Sequence, residues 1–185
     1  MPATVLFVHS SGPQGPREGS APFAARLREE LGSAYEIQFP IMPAPEDPHF
    51  EPWSERLGEI LAGIDQPVVV VGHSLGGSVA LKHLSEADRR EPIAGLLLVA
   101  APFWGEEDWA VEWALPEGWP GASAALPPTF LFHSRDDEEI PFAQLELYAK
   151  RLPEAEVHPL DGNGHLLDRG DLSEIVETIR KLSAS

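Results

Sequence analysis

One segment of the chain could carry a nucleophile. Gly72-His73-Ser74-Leu75-Gly76 sets a serine between two glycines in the pattern G-x-S-x-G. Four valines, Val68–Val71, run straight into it, and Gly76-Gly77-Ser78-Val79-Ala80-Leu81 follows with helical character. A strand that turns at once into a helix holds its apex residue in a strained backbone conformation. Flanking glycines let neighbouring backbone approach that apex without a Cβ clash. The first peptide N–H after the apex, that of Leu75, would lie at the helix N-terminus, facing an oxygen that becomes anionic during attack on a carbonyl.

A serine hydroxyl needs a base to take its proton, and the base needs a carboxylate to orient it. His165 stands in Asp161-Gly162-Asn163-Gly164-His165, where glycines let the loop bend. The carboxylate is expected between Ser74 and His165, in His133-Ser134-Arg135-Asp136-Asp137-Glu138-Glu139-Ile140-Pro141. Such an acidic run is ordinarily a solvated loop. Asp137, four residues before Pro141 with the apolar Ile140 between, is the expected acid, and Asp136 is the runner-up. A second oxyanion donor is expected from His9-Ser10-Ser11-Gly12: the N–H of Ser11, with the hydroxyls of Ser10 and Ser11 as further donors.

These segments require a scaffold. Thr4–His9, Tyr35–Phe39, Val68–Val71, Gly95–Ala100, Thr129–His133 and Val157–Leu160 read as strands, several of them continuous apolar runs suited to burial on both faces. Between them lie helical patterns at Ala21–Leu31, Trp53–Ile64, Ser78–Ser85, about Phe142–Leu152 and Asp171–Leu182, with Asp171 as the expected N-cap of the last. Strands alternating with helices predict an α/β fold: one domain over 1–185, a parallel sheet of about six strands with helices on both faces and little or no cap. The rhythm breaks at Pro102–Pro128, which holds Trp104, Trp109, Trp113 and Trp119. It is too long for an ordinary connection and reads as a lid-like insertion. Trp104, Trp109 and His73 are the candidate substrate contacts; the alternative for the tryptophans is that they only cover the core.

Composition narrows the function classes. With 30 acidic against 13 basic residues the net charge is −17, which disfavours nucleic acid and anionic membrane surfaces as partners. No cysteine is present, so disulfides, thiolate catalysis and Cys-ligated zinc are excluded. The N-terminus lacks a basic region and reads as a first strand rather than a signal peptide, making the cytoplasm the default expectation. A monomer or small homo-oligomer acting on a small ester-type molecule is expected.

GHSLGG, HSSG, SRDDEEIPF and DGNGHLLD together resemble the α/β-hydrolase superfamily over almost the whole chain. Within it the chain looks most like the small serine hydrolases related to the retinoblastoma-binding hydrolase and its bacterial relatives. The short length, Phe39-Pro40-Ile41-Met42-Pro43 and the downstream Trp53 point that way. The resemblance implies a sheet lacking the first two strands of the full fold, no metal or organic cofactor, and the carboxylate four residues before the proline, Asp137, as catalytic acid. It implies hydrolysis of a carboxylic ester, thioester or amide by Ser74, Asp137 and His165, with esters (EC 3.1.1) foremost. The superfamily commonly has His-Gly where this chain has His9-Ser10. Two other readings compete: a binding protein that kept the fold with little turnover, and a metal site built from His9, His73, His133 and His165 at one sheet edge, whose spacings match no compact ligand motif.

Overall fold

A computed structural model describes residues 2–86, 92–105, 111–115, 119 and 126–184. Six strands, β1 (Ala3–Val8), β2 (Tyr35–Gln38), β3 (Val68–His73), β4 (Ile93–Val99), β5 (Thr129–Ser134) and β6 (Glu156–Leu160), form one sheet in the order β2-β1-β3-β4-β5-β6. Every pairing is parallel. Parallel neighbours need crossovers; among the described residues four of the five crossovers carry an α-helix and a fifth α-helix closes the chain: α1 (Ala21–Leu31), α2 (Phe50–Ala62), α3 (Leu75–Glu86), α4 (Ala143–Arg151) and α5 (Ser173–Ser183).

The apolar runs are explained by burial on both sides. Val5, Phe7, Val69, Val71, Leu97, Val99, Phe130 and Phe132 face α1 and α5. Their neighbours in sequence, Leu6, Val8, Val68, Val70, Leu96, Leu98 and Leu131, face α2, α3 and α4. Alternate residues thus enter opposite cores, and β1, β3, β4 and β5 can spare no polar face, whereas the edge strands β2 and β6 keep exposed residues.

Several element ends differ from expectation, and two helix starts have a local reason. Helix α2 starts at Phe50, three residues before Trp53, because Pro52 suits its first turn. Leu172, not Asp171, occupies the N-cap position of α5; the Asp171 carboxylate instead accepts the Ser173 N–H at 2.9 Å and the Ser173 hydroxyl at 2.7 Å. In the Trp-rich insertion, Trp113 and Trp119 are buried in the core on the α2–α3 side. Among the described residues no helix is long and apolar enough to cross a membrane.

The strand order reverses between β1 and β3, so the loops leaving those strands diverge at their carboxyl ends. An open α/β sheet places ligands in such a crevice. The segments after β1, β3, β5 and β6 all emerge on that edge.

Candidate active site

The turn after β3 is built of backbone in contact with backbone. Ser74 has φ +53°, the left-handed region that a side chain rarely enters. Its N–H donates to the Val99 carbonyl at 2.9 Å, and its own carbonyl accepts the Gly77 N–H at 2.9 Å. A Cβ on Gly76 would overlap the Val8 carbonyl oxygen and lie 2.5 Å from that of His9. One on Gly72 would lie 2.5 Å from the Gly77 Cα, and one on Gly77 would lie 2.8 Å from the Ala101 Cβ. The glycines let β1, the turn and the segment after β4 close around Ser74, and this packing holds the strained apex.

His165 follows Gly164, whose φ of +61° bends the loop after β6. Its Nε2 lies 3.1 Å from Ser74 Oγ, and its Nδ1 lies 2.9 Å from Asp137 Oδ2. An ionised carboxylate can only accept, so the neutral ring carries its proton on Nδ1 and presents the Nε2 lone pair to the Ser74 hydroxyl. The ring is buried and Ser74 is 8% exposed.

The four adjacent carboxylates have separate fates. The Asp137 side chain has no solvent exposure. Its Oδ1 accepts the N–H groups of Glu139 (2.9 Å) and Ile140 (2.8 Å), and its Oδ2 accepts from His165 and from His133 Nε2 at 3.1 Å. Burial alone would raise its pKa; the bonds from His133, His165 and the Ile140 N–H outweigh burial and hold it well below the usual carboxylate range. Asp136, the runner-up, faces the base loop instead. Its Oδ1 accepts the Ser134 hydroxyl at 2.5 Å and the N–H groups of Gly162 and Gly164, each at 3.1 Å. These bonds, Ser134's foremost, hold its carboxyl at about 2. Glu139 is 60% exposed, with Oε2 3.8 Å from His165 Nε2.

In the loop after β1, the Ser10 N–H donates to Ser20 Oγ at 2.7 Å, and Ser10 Oγ lies 3.0 Å from the same oxygen. Both groups of Ser10, expected as a source of oxyanion donors, are engaged with Ser20. The Ser11 N–H has no hydrogen-bond partner among the described residues. Leu75 is the first residue of α3, so its N–H has no acceptor within the helix.

His73 was expected to touch substrate. It is instead fully buried, with Nδ1 2.7 Å from Ser20 Oγ and Nε2 2.9 Å from the His165 carbonyl oxygen. Burial, helped by the nearby His165 ring, pushes its pKa down to about 3. Trp104 is half-buried against the core on the α2–α3 side, its ring 6.3 Å from that of Trp113. Trp109 lies outside the described residues.

The remaining histidines of the edge are also engaged. His9 donates from Nδ1 to the Ser10 carbonyl at 2.6 Å and accepts the Met42 N–H on Nε2 at 2.8 Å. His133 donates from Nε2 to Asp137 and to the Ile140 carbonyl at 3.0 Å. Two of these partnerships escape the sequence reading. His133 sits four residues before Asp137 at a strand end, and that spacing is the one local signal of their contact. Ser20 precedes a helix and carries no sign of its tie to His73.

A family model for serine hydrolases matches residues 21–183. The chain belongs to the serine hydrolase family. No curated protein matches it. Among solved structures, the ydeN gene product from B. subtilis superposes with a TM-score of 0.75 at 17% identity, covering 99% of this chain and 100% of that one. The esterase EaEST from Exiguobacterium antarcticum gives 0.69 at 14%, covering 99% and 92%. The meta-cleavage product hydrolase CumD from Pseudomonas fluorescens IP01 gives 0.70 at 14%, covering 97% and 90%. At such identities these neighbours establish the fold, which is that of the α/β-hydrolases.

Proposed function

We propose that this serine hydrolase cleaves a carboxylic ester through an acyl-enzyme on Ser74. The observation that carries the reading is the continuous hydrogen-bonded chain from Ser74 Oγ through His165 to Asp137, at 3.1 and 2.9 Å, with its serine at the strained apex. Ser74 Oγ attacks the carbonyl carbon as its proton passes to His165 Nε2. Asp137 stabilises the imidazolium. The N–H groups of Leu75 and Ser11 receive the carbonyl oxygen as it becomes anionic. When the tetrahedral adduct collapses, the C–O bond to the leaving group breaks and Nε2–H protonates the departing oxygen. Water then attacks the acyl-enzyme, giving a proton to Nε2, and that proton returns to Ser74 Oγ as the acid leaves. The same sequence would cleave a thioester or amide.

The test is covalent labelling with a fluorophosphonate, read by mass spectrometry, alongside turnover of p-nitrophenyl esters of graded chain length. Labelling at Ser74 and loss of several orders of magnitude in turnover in Ser74→Ala are expected, since the three residues act as a unit. An unlabelled Ser74 in folded protein would refute the reading and leave a binding role for the fold.

A further inference from the structure

A string of buried polar groups runs behind Ser74 and takes no part in the chemistry just described. It joins the loop after β1, the N-terminus of α1, the turn after β3 and the loop after β6. Its links are the Ser10 N–H to Ser20 Oγ (2.7 Å), Ser20 Oγ to His73 Nδ1 (2.7 Å), and His73 Nε2 to the His165 carbonyl (2.9 Å).

Every proton in it can be assigned. The His165 carbonyl only accepts, so His73 Nε2 must carry a hydrogen. A neutral imidazole has one ring proton, which leaves Nδ1 as a lone pair. The Ser20 hydroxyl therefore donates to Nδ1 and accepts the Ser10 N–H. The Ser10 hydroxyl, 3.0 Å away, must then donate to Ser20 Oγ rather than accept from it; for a neutral ring no other arrangement satisfies all the groups, and Ser20 and His73 have no solvent exposure through which water could substitute.

Ser20 also gives up something for this role. It stands at the N-cap position of α1, where a serine side chain ordinarily accepts a helix N–H, yet it makes no cap bond. Its hydroxyl is turned inward to His73 instead. One end of the string fixes the His9–Ser10 peptide, one unit before the N–H of Ser11, the expected oxyanion donor. The other fixes the backbone that carries the base, whose ring centroid lies 5.3 Å from that of His73.

We propose that Ser20 and His73 are positioning residues, a buried relay that sets the oxyanion loop and the base loop in register with Ser74. This rests on the acyl-enzyme reading above. Groups that align the oxyanion donor and base against each other act mainly in the transition state, so their loss falls on kcat rather than KM.

Four variants test it: Ser20→Ala cuts the relay in the middle, Ser20→Thr restores a hydroxyl, His73→Phe removes both links of the ring, and His73→Gln keeps an Nε2–H donor for the His165 carbonyl. With a p-nitrophenyl ester, Ser20→Ala and His73→Phe should lose at least about tenfold in kcat with KM within about threefold, as expected of transition-state interactions. Ser20→Thr and His73→Gln should each recover part of the loss. Unchanged kcat in both disruptive variants, or a loss carried by KM, overturns the relay while a labelled Ser74 keeps the hydrolase reading intact. An unlabelled wild-type Ser74 removes that reading, and the proposal with it. Should the disruptive variants not fold, nitrogen-15 NMR of the wild-type histidine rings decides: a neutral Nε2–H tautomer of His73 at neutral pH is required, and an Nδ1–H tautomer or a charged ring overturns the relay.

Discussion

His73 should make the protein sensitive to mild acid in a way that one substitution removes. Its ring is buried without exposure, and burial, with the adjacent His165, lowers its pKa from 6.5 to about 3. The folded state keeps the ring neutral where the unfolded chain protonates it. The unfolded state therefore binds more protons below 6.5, and stability must fall as pH falls, until the folded ring also protonates near 3. Each pH unit inside that window costs about 1.4 kcal/mol for one proton. Between pH 7 and about pH 4.5 the His73 contribution falls by roughly 2–3 kcal/mol, a sizeable part of a typical total of about 5–15 kcal/mol. Asp136 and Asp137 have depressed folded values, so their contribution is present above the unfolded carboxylate range and is lost only at lower pH. They are nearly silent in this interval. His9 and His83, whose values burial also lowers, add to the same slope, so the measurement is a difference. Urea unfolding of wild type and His73→Gln at several pH values gives it directly, because glutamine cannot titrate and any constant loss of stability cancels. Wild type should lose about 2–3 kcal/mol more than the variant over the interval. Parallel pH profiles would show that His73 is not held neutral and that its assigned proton arrangement is wrong.

Three further outcomes follow from the site. Asp137→Asn should cut kcat by as much as about 10⁴-fold by favouring the wrong His165 tautomer, whereas Asp136→Asn should lower the melting temperature and retain most turnover; equal losses in the two would refute the division between acid and loop strap. Gly76→Ala drives a Cβ into the carbonyls of Val8 and His9, which are backbone and cannot turn aside, so a loss of about 3 kcal/mol or more is expected in chemical denaturation. Gly105→Ala, whose Cβ would meet nothing within 4 Å among the described residues, is the neutral control. Glu139→Gln removes an exposed carboxylate 3.8 Å from His165 Nε2 and should raise kcat/KM for an anionic ester over a neutral isostere by a few-fold, less at high salt; an unchanged ratio would show that the Glu139 charge does not act on substrate.

What could be read from residues alone divides along a physical line. The sheet was legible because burial on both faces leaves a local trace, the unbroken apolar runs of β1, β3 and β4. The Ser74 turn was legible because its glycines lie within two or three residues of the apex they serve. Asp137 stood out from its neighbours by its distance to Pro141, and its structural reason is equally local: its carboxylate closes a turn on the N–H groups of Glu139 and Ile140. The relay behind the site has no such trace. Ser20 and His73 are 53 residues apart, and His73 and the His165 carbonyl 92 apart. Neither bond imposes a period or a composition on the residues near it. Ser20 even imitates a helix cap that it does not form. The pattern G-x-S-x-G likewise conceals His73, since it fixes three positions and treats the one before the serine as free. At the end of a strand buried on both faces that position cannot face solvent, so a polar residue there must find partners inside. The His73 side chain, without solvent exposure, finds them in Ser20 at the start of α1 and the His165 carbonyl after β6.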